Sequence, residues 1–222
     1  MTQCKPRHPE PIRLPLFKHS YPGRLLVVEG LDGTGKTTLI TSLADALSDL
    51  GHSVVLAKQP TQAVRQLPLF NRYQFKPEER SQIEYRALLA LLLSDRFQNA
   101  AEVIRPALAR GKIVLMDRYV YTLLVVMRAR GYQEQWIIDA CSSFPRPDLA
   151  WLLRPPFDVA LQRVRSRSDA NDAYVERELF ARIYAHFDVL AAQGELTSLD
   201  THVNSPDVLV AQCLSSVADL SR

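Results

Sequence analysis

The residues whose types and spacing could do chemistry lie in one short run, Val28-Glu29-Gly30-Leu31-Asp32-Gly33-Thr34-Gly35-Lys36-Thr37-Thr38. It contains G-x-x-x-x-G-K-T, a pattern that cradles phosphate. Its glycines carry no Cβ, so backbone N–H groups can turn inward toward an oxyanion. A helix opening near Lys36 adds the positive end of its dipole. Lys36 offers a mobile cation to outer phosphates, and the Thr37 hydroxyl is placed to ligate Mg²⁺. Gly30, Leu31, Asp32, Gly33, Thr34, Gly35, Lys36, Thr37 and Thr38 are thus the expected phosphate-binding stretch.

Such a loop needs a strand before it and a helix after it. Arg24-Leu25-Leu26-Val27-Val28 reads as a buried strand, and Leu39 to Leu47 carries apolar residues at helical spacing. Downstream, the pattern predicts strands at 53–58, 112–117, 149–153 and 195–199. It predicts helices over 79–110 (bent at Pro106), 120–130, 133–141, 157–165, 173–193 and 206–220, with a loop around Pro68 and Pro77. Strands alternating with helices imply an α/β fold, a mostly parallel sheet with helices on both faces. Ligands in such folds collect beyond the carboxyl ends of the strands, where Gly30, Gln59, Asp117 and Arg154 fall.

Three further groups could act there. Asp117 closes an apolar strand, where an acid holds a metal or its water, and Arg118 beside it could clamp a phosphate bidentately; a solvated turn is the plainer reading. Asp95-Arg96 sits amid Leu88, Leu89, Leu91, Leu92 and Leu93, so Arg96 either snorkels to the surface or faces a ligand. Arg163, Arg165 and Arg167 at spacing two suggest a loop, either a basic lid over a transferring phosphoryl group or an ordinary solvated charge run.

Composition excludes several classes. A chain of 222 residues can bury one large core, and a net charge of +3 is too small to argue for nucleic acid or an anionic membrane surface. No apolar run approaches a membrane span. Cys4, Cys141 and Cys213 lack metal spacing and read as reduced thiols of a cytoplasmic protein. Residues 1–22, crowded with Pro6, Pro9, Pro11, Pro15 and Pro22, are expected to be a poorly ordered arm preceding a domain at 23–222, with partner docking as the alternative.

Taken in order, these motifs resemble the thymidylate kinase family. The resemblance rests on the phosphate loop, Gln59-Pro60-Thr61, Ser94-Asp95-Arg96, Ile104 to Gly111, Asp117-Arg118-Tyr119, Arg146-Pro147-Asp148-Leu149 and Ala160-Leu161-x-Arg163. It implies a five-stranded parallel sheet of the nucleoside monophosphate kinase type, often dimeric, moving the γ-phosphoryl of ATP to dTMP with Mg²⁺. It implies that Lys36 and Thr37 contact ATP phosphates and metal, and that Asp32 faces the acceptor sugar or phosphate. It further implies that Arg96 addresses the acceptor base and Arg118 its phosphate, with Tyr174 near the lid. Gly33 stands where one branch of the family carries an arginine, and Arg163, Arg165 and Arg167 fit the branch that moves this charge to the lid. Related nucleoside kinases place a glutamate base where Gln59 sits, and an amide cannot take that proton. No N-K-x-D or T-K-x-D stretch that would read guanine occurs.

The acceptor side departs from the family. Leu92 stands where the family stacks a phenylalanine on thymine, Val126 and Met127 replace an aromatic and a polar residue, and Ala173 and Val175 replace an arginine and an acid. A pocket without those groups discriminates bases poorly. A different or modified pyrimidine nucleotide, a nucleoside, or a non-catalytic nucleotide-binding role with a docking arm stay open.

Overall fold

The computed structural model describes residues 9–167 and 176–220. Five parallel strands form one sheet: β1 Arg24–Glu29, β2 Val54–Lys58, β3 Ile113–Asp117, β4 Leu149–Leu153 and β5 Thr197–Leu199, in the order β2-β3-β1-β4-β5. β1 lies between β3 and β4, with Val28 opposite Asp117 and Trp151. The chain leaves β1 for β2 on one side and leaves β3 for β4 on the other, so a crevice opens beyond the carboxyl ends of these central strands.

Among the described residues there are ten α-helices: α1 Lys36–Asp49, α2 Gln62–Arg65, α3 Pro68–Phe75, α4 Tyr85–Asn99, α5 Arg105–Ala109, α6 Val120–Ala129, α7 Gln135–Ala140, α8 Phe157–Arg167, α9 Arg177–Ala192 and α10 Pro206–Asp219. Side chains alternate along a strand, and the core divides accordingly. Leu25 and Val27 join Val114 and Met116 on one face, packed by α4, α5, α6 and α9. Leu26 and Val28 join Ile113 and Leu115 on the other, under α1 and α10. β3 is buried at every position, as its unbroken apolar run predicts. No helix among the described residues is long and apolar enough to cross a membrane.

Two regions depart from expectation. The helix predicted over 79–110 is broken: a 3₁₀ segment spans Pro77–Gln82, α4 starts at Tyr85, and a π-helical turn at Ala100–Ile104 precedes α5. Pro106 has no N–H for the α-helical ladder, and widening the preceding turn accommodates its ring. The loop predicted around Pro68 holds α2 and α3, with Pro68 at the first turn of α3, where a missing N–H costs nothing.

The arm is the larger correction. Residues 1–8 lie outside the described residues, but from residue 9 the chain is packed, not loose. Ile12, Leu14 and Leu16 are buried in the core while Pro11, Arg13 and Pro15 face solvent. Gln193 Oε1 accepts from Ile12 N at 3.2 Å, Arg146 Nη2 donates to Leu14 O at 3.0 Å, and Phe17 N donates to Phe144 O at 3.1 Å. Apolar residues at every second position bury one edge of an extended segment, which outweighs the solvating effect of its prolines.

Candidate phosphoryl-transfer site

The phosphate loop joins β1 to α1. Gly35 caps α1 in the left-handed region at φ 97°, which only a residue without Cβ adopts freely. No side chain caps this helix and no acid lies in its first turn, so its leading N–H groups are available to an anion. The Thr34 side chain turns inward, its hydroxyl donating to Leu31 O at 2.8 Å. Lys36 is buried and donates to Leu31 O at 2.7 Å, with Asp32 Oδ1 at 4.0 Å. Burial, reinforced by the nearby Arg118 charge, pushes the Lys36 ammonium down to about 7.

Arg118 ties the loop to β3. It is the one non-glycine with positive φ among the described residues, at 68°. Its Nη1 donates to Gly30 O at 2.8 Å and its Nη2 to Asp32 Oδ1 at 2.6 Å. Asp32 is held down at about 2, chiefly by the Arg118 charge. Its side chain is 78 % exposed, so the pair positions a charge and adds little stability. Burial opposes the Arg118 charge, but Asp32, Glu29 and Asp117 outweigh it and raise its pKa.

Glu29, part of the loop motif but not among the candidate site residues, fixes this geometry. It is fully buried at the end of β1, and Oε1 accepts from Tyr119 N at 2.8 Å and Thr122 N at 3.2 Å, while Oε2 accepts from the Thr122 hydroxyl. Burial raises its pKa, opposed by those hydrogen bonds and by Arg118. A carboxylate thus clamps the first turn of α6 directly after Arg118. Its partners lie some ninety residues away in sequence, beyond any local pattern.

Asp117 sits opposite Lys58 in the sheet, and Lys58 Nζ lies 2.8 Å from Oδ2. Asp117 Oδ1 is buried with no hydrogen-bond partner. Thr37 and Asp117 line the same cleft. An orphaned carboxylate oxygen with a hydroxyl in the same cavity fits a hard, oxygen-loving cation such as Mg²⁺.

The cleft encloses about 490 Å³ and runs from Lys36 and Thr37 past Arg118 and Arg96 to Leu92 and Val126. Arg96 therefore faces the cleft instead of snorkelling. It is 1 % exposed, held by Leu92 O at 2.8 Å and Tyr119 O at 3.3 Å, with Nε unpaired. Burial lowers its pKa to about 10, opposed by Asp95 and Glu29. Asp95 turns away to accept from Thr61 N at 2.9 Å and from the Thr61 hydroxyl. Met127 belongs to the buried core and not to the cleft, so of the two departures on α6 only Val126 bears on a ligand.

Several expected residues do not converge. Gln59 is buried and donates to Asn99 Oδ1 at 3.4 Å, outside the cleft lining. Arg154 pairs with Asp188 at 2.6 and 2.7 Å and lies 4.1 Å from the Tyr184 ring. Arg163, Arg165 and Arg167 are on α8, not on a loop. Ala160, Leu161 and Val164 set the buried face of that helix, and residues two apart on a helix point in nearly opposite directions. Arg163 and Arg165 thus do not share one face. Arg163 is the one whose Cβ borders the phosphate loop: a Cβ built on Gly33 would lie 3.2 Å from it and 3.1 Å from Val164 Cγ2. Tyr174, Ala173 and Val175 lie outside the described residues. Lys58, Arg65, Tyr73 and Arg130 line the cleft and were not singled out; Lys58 was findable as the residue ending β2 beside Asp117.

Comparisons with known proteins agree with this geometry. The sequence model of the family described as thymidylate kinase matches residues 28–211. A probable thymidylate kinase of Pyrococcus horikoshii is 33 % identical over 203 residues, covering 89 % of this chain and 92 % of its own length. A thymidylate kinase of Xanthomonas campestris is 36 % identical over 192 residues, covering 84 % and 80 % respectively. The solved thymidylate kinase of Candida albicans superposes with a TM-score of 0.72 at 19 % identity, covering 91 % of this chain and 94 % of that one, which shows a shared fold.

Proposed function

The chain belongs to the thymidylate kinase family, and from that premise we propose that it transfers the γ-phosphoryl group of ATP to the 5′-phosphate of dTMP, yielding dTDP and ADP. The observation that carries this reading is the bridge from Arg118 to Asp32 and Gly30 O across the mouth of a phosphate loop whose helix is uncapped. It sets two cationic groups, Lys36 and Arg118, toward one cleft, one for the donor phosphates and one for the acceptor phosphate.

The chemistry needs little else. An acceptor phosphate is largely ionised at neutral pH, so no general base is required. Asp32, held near 2, is too weak a base to take a sugar-hydroxyl proton, and Gln59 is turned away from the cleft. Both facts favour a monophosphate acceptor over a nucleoside. Catalysis then rests on alignment and on charge placed where negative charge spreads. The first-turn amides of α1 and Lys36 hold the donor phosphates. Arg118 orients the attacking phosphate oxygen, and Glu29 keeps Arg118 in its unusual backbone conformation. Thr37 and Asp117, directly or through water, would hold Mg²⁺, which when bound neutralises phosphate charge. Arg163, beside Gly33, is the arginine of α8 best placed to supply charge from the lid side.

An ADP-release assay with ATP, Mg²⁺ and a panel of dTMP, dUMP, dCMP and thymidine tests this. Turnover is expected with dTMP and not with thymidine. Turnover with no monophosphate would overturn the reading.

A further inference from the structure

The cleft continues past its base-facing residues. A second hollow of about 260 Å³ shares Tyr73, Arg80, Tyr85, Arg130, Glu176 and Leu179 with it and touches none of Asp32, Lys36, Arg96 or Arg118. It is therefore an annex at the end remote from the phosphate loop. Three arginines and one acid, Glu176, line it.

Two of those arginines are engaged. Arg80 donates to Tyr73 O at 2.7 Å and Gln74 O at 3.1 Å, and Arg182 donates to Ala129 O at 2.7 Å. Arg130 differs. Its guanidinium carbon lies 5.0 Å from the Tyr73 ring centroid and 5.8 Å from that of Tyr85. Its Nε is buried without a hydrogen-bond partner, and no carboxylate pairs with it among the described residues. Buried donors are normally satisfied, and a guanidinium laid against two adjacent rings whose centroids are 5.9 Å apart is a preorganised receptor for a ligand oxygen. Meanwhile the base-facing positions Leu92 and Val126 offer no polar group. Besides Arg96, the annex supplies further polar groups to the cleft.

A methyl group neither fills this annex nor uses its donors. On a pyrimidine, C6 lies beside the sugar and N3 and C4 form the pairing edge, which leaves C5 to carry an added group. Resting on the kinase reading above, we propose that the preferred acceptor is a pyrimidine nucleoside monophosphate whose C5 bears an oxygen-carrying group larger than methyl, received by Arg130 against Tyr73 and Tyr85. The reaction supplying this substrate must then functionalise the base at C5 before the second phosphate is added.

The test compares kcat/KM for 5-carboxy-dUMP and for dTMP in the wild-type chain and in Arg130→Met, with Arg130→Lys as a second variant should the first not fold. The ratio of the two values, taken within each protein, is insensitive to the active fraction. It is expected to exceed one in the wild type and to fall by about tenfold or more in the variant, the effect of losing a charge-assisted hydrogen bond. A wild-type ratio below one, or a smaller fall, overturns the inference while turnover of dTMP in the same assay leaves the kinase reading standing. If neither nucleotide is phosphorylated, the kinase reading itself fails.

Discussion

Lys36 is buried against Leu31 O with Arg118 close by, and its ammonium is held down at about 7. Between that value and the unperturbed 10.5, the unfolded chain keeps a proton that the ligand-free folded protein has released. Stability therefore rises with pH across this window as far as Lys36 is concerned. A triphosphate reverses the balance because it favours the charged amine, so ATP binding at pH 8 is expected to take up roughly one proton per site. Calorimetry in buffers of different ionisation enthalpy measures this directly. The uptake should vanish in Lys36→Met, and its absence in the wild type would contradict the placement. Turnover of Lys36→Met should fall by about 10²-fold or more, as when a charge-stabilising donor is removed. Arg118→Ala is expected to raise the acceptor KM by roughly ten- to hundredfold, the worth of a charged hydrogen bond. A rise confined to the ATP KM would mean the two half-sites are exchanged. Lys36, Thr37, Asp117 and Arg118, which motif and strand end single out in the sequence, line one cleft. The role of Glu29 was not legible there, since it exists only through Tyr119 and Thr122 on a distant element.

At the level of elements, α8 seals the flank of the phosphate loop. Gly33 has φ 76°, and a Cβ there would meet Arg163 Cβ and Val164 Cγ2 within 3.2 Å. Gly51, at φ 86° with nothing within 4 Å, provides the control for backbone strain alone. Each alanine substitution should cost about 1–2 kcal/mol of stability from the left-handed backbone. Only Gly33→Ala should also lower kcat, because the loop must shift against α8. Equal kinetic effects would argue that α8 does not brace the loop. The strands of the sheet could be read from sequence because their apolar runs are bounded by turn residues. The placement of the α8 arginines was legible only in part: the helix predicted over 157–165 holds Arg163 and Arg165, while their spacing of two suggests a loop, and burial of Ala160, Leu161 and Val164 decides for a helix that runs on to Arg167. The broken region before α4 was likewise hidden, since Pro68 begins a short helix as readily as it ends one.

For the molecule as a whole, the N-terminal segment is part of the fold. It crosses the chain at Phe144, Arg146 and Gln193, none of which lines the cleft. Removing residues 1–18 exposes the sites of Ile12, Leu14 and Leu16, each worth about 1.5–3 kcal/mol when fully buried. Allowing for the ordering entropy recovered, Tm should drop by roughly 10 °C. The KM values for ATP and dTMP should hold; an unchanged Tm would mean the segment merely rests on the surface. The alternation of Ile12, Leu14 and Leu16 was present in the sequence but overshadowed by proline content, a compositional cue that local periodicity overrode. The broader claim is that this sheet brings a triphosphate and a nucleotide monophosphate to the two sides of one cleft. The most direct measurement is ³¹P NMR of ATP, Mg²⁺ and dTMP incubated with catalytic amounts of the full chain. Resonances of dTDP should grow as those of ATP decline, and Lys36→Met should leave the spectrum unchanged over the same interval. Inorganic phosphate in place of dTDP, or no change with the wild-type chain, would contradict the account.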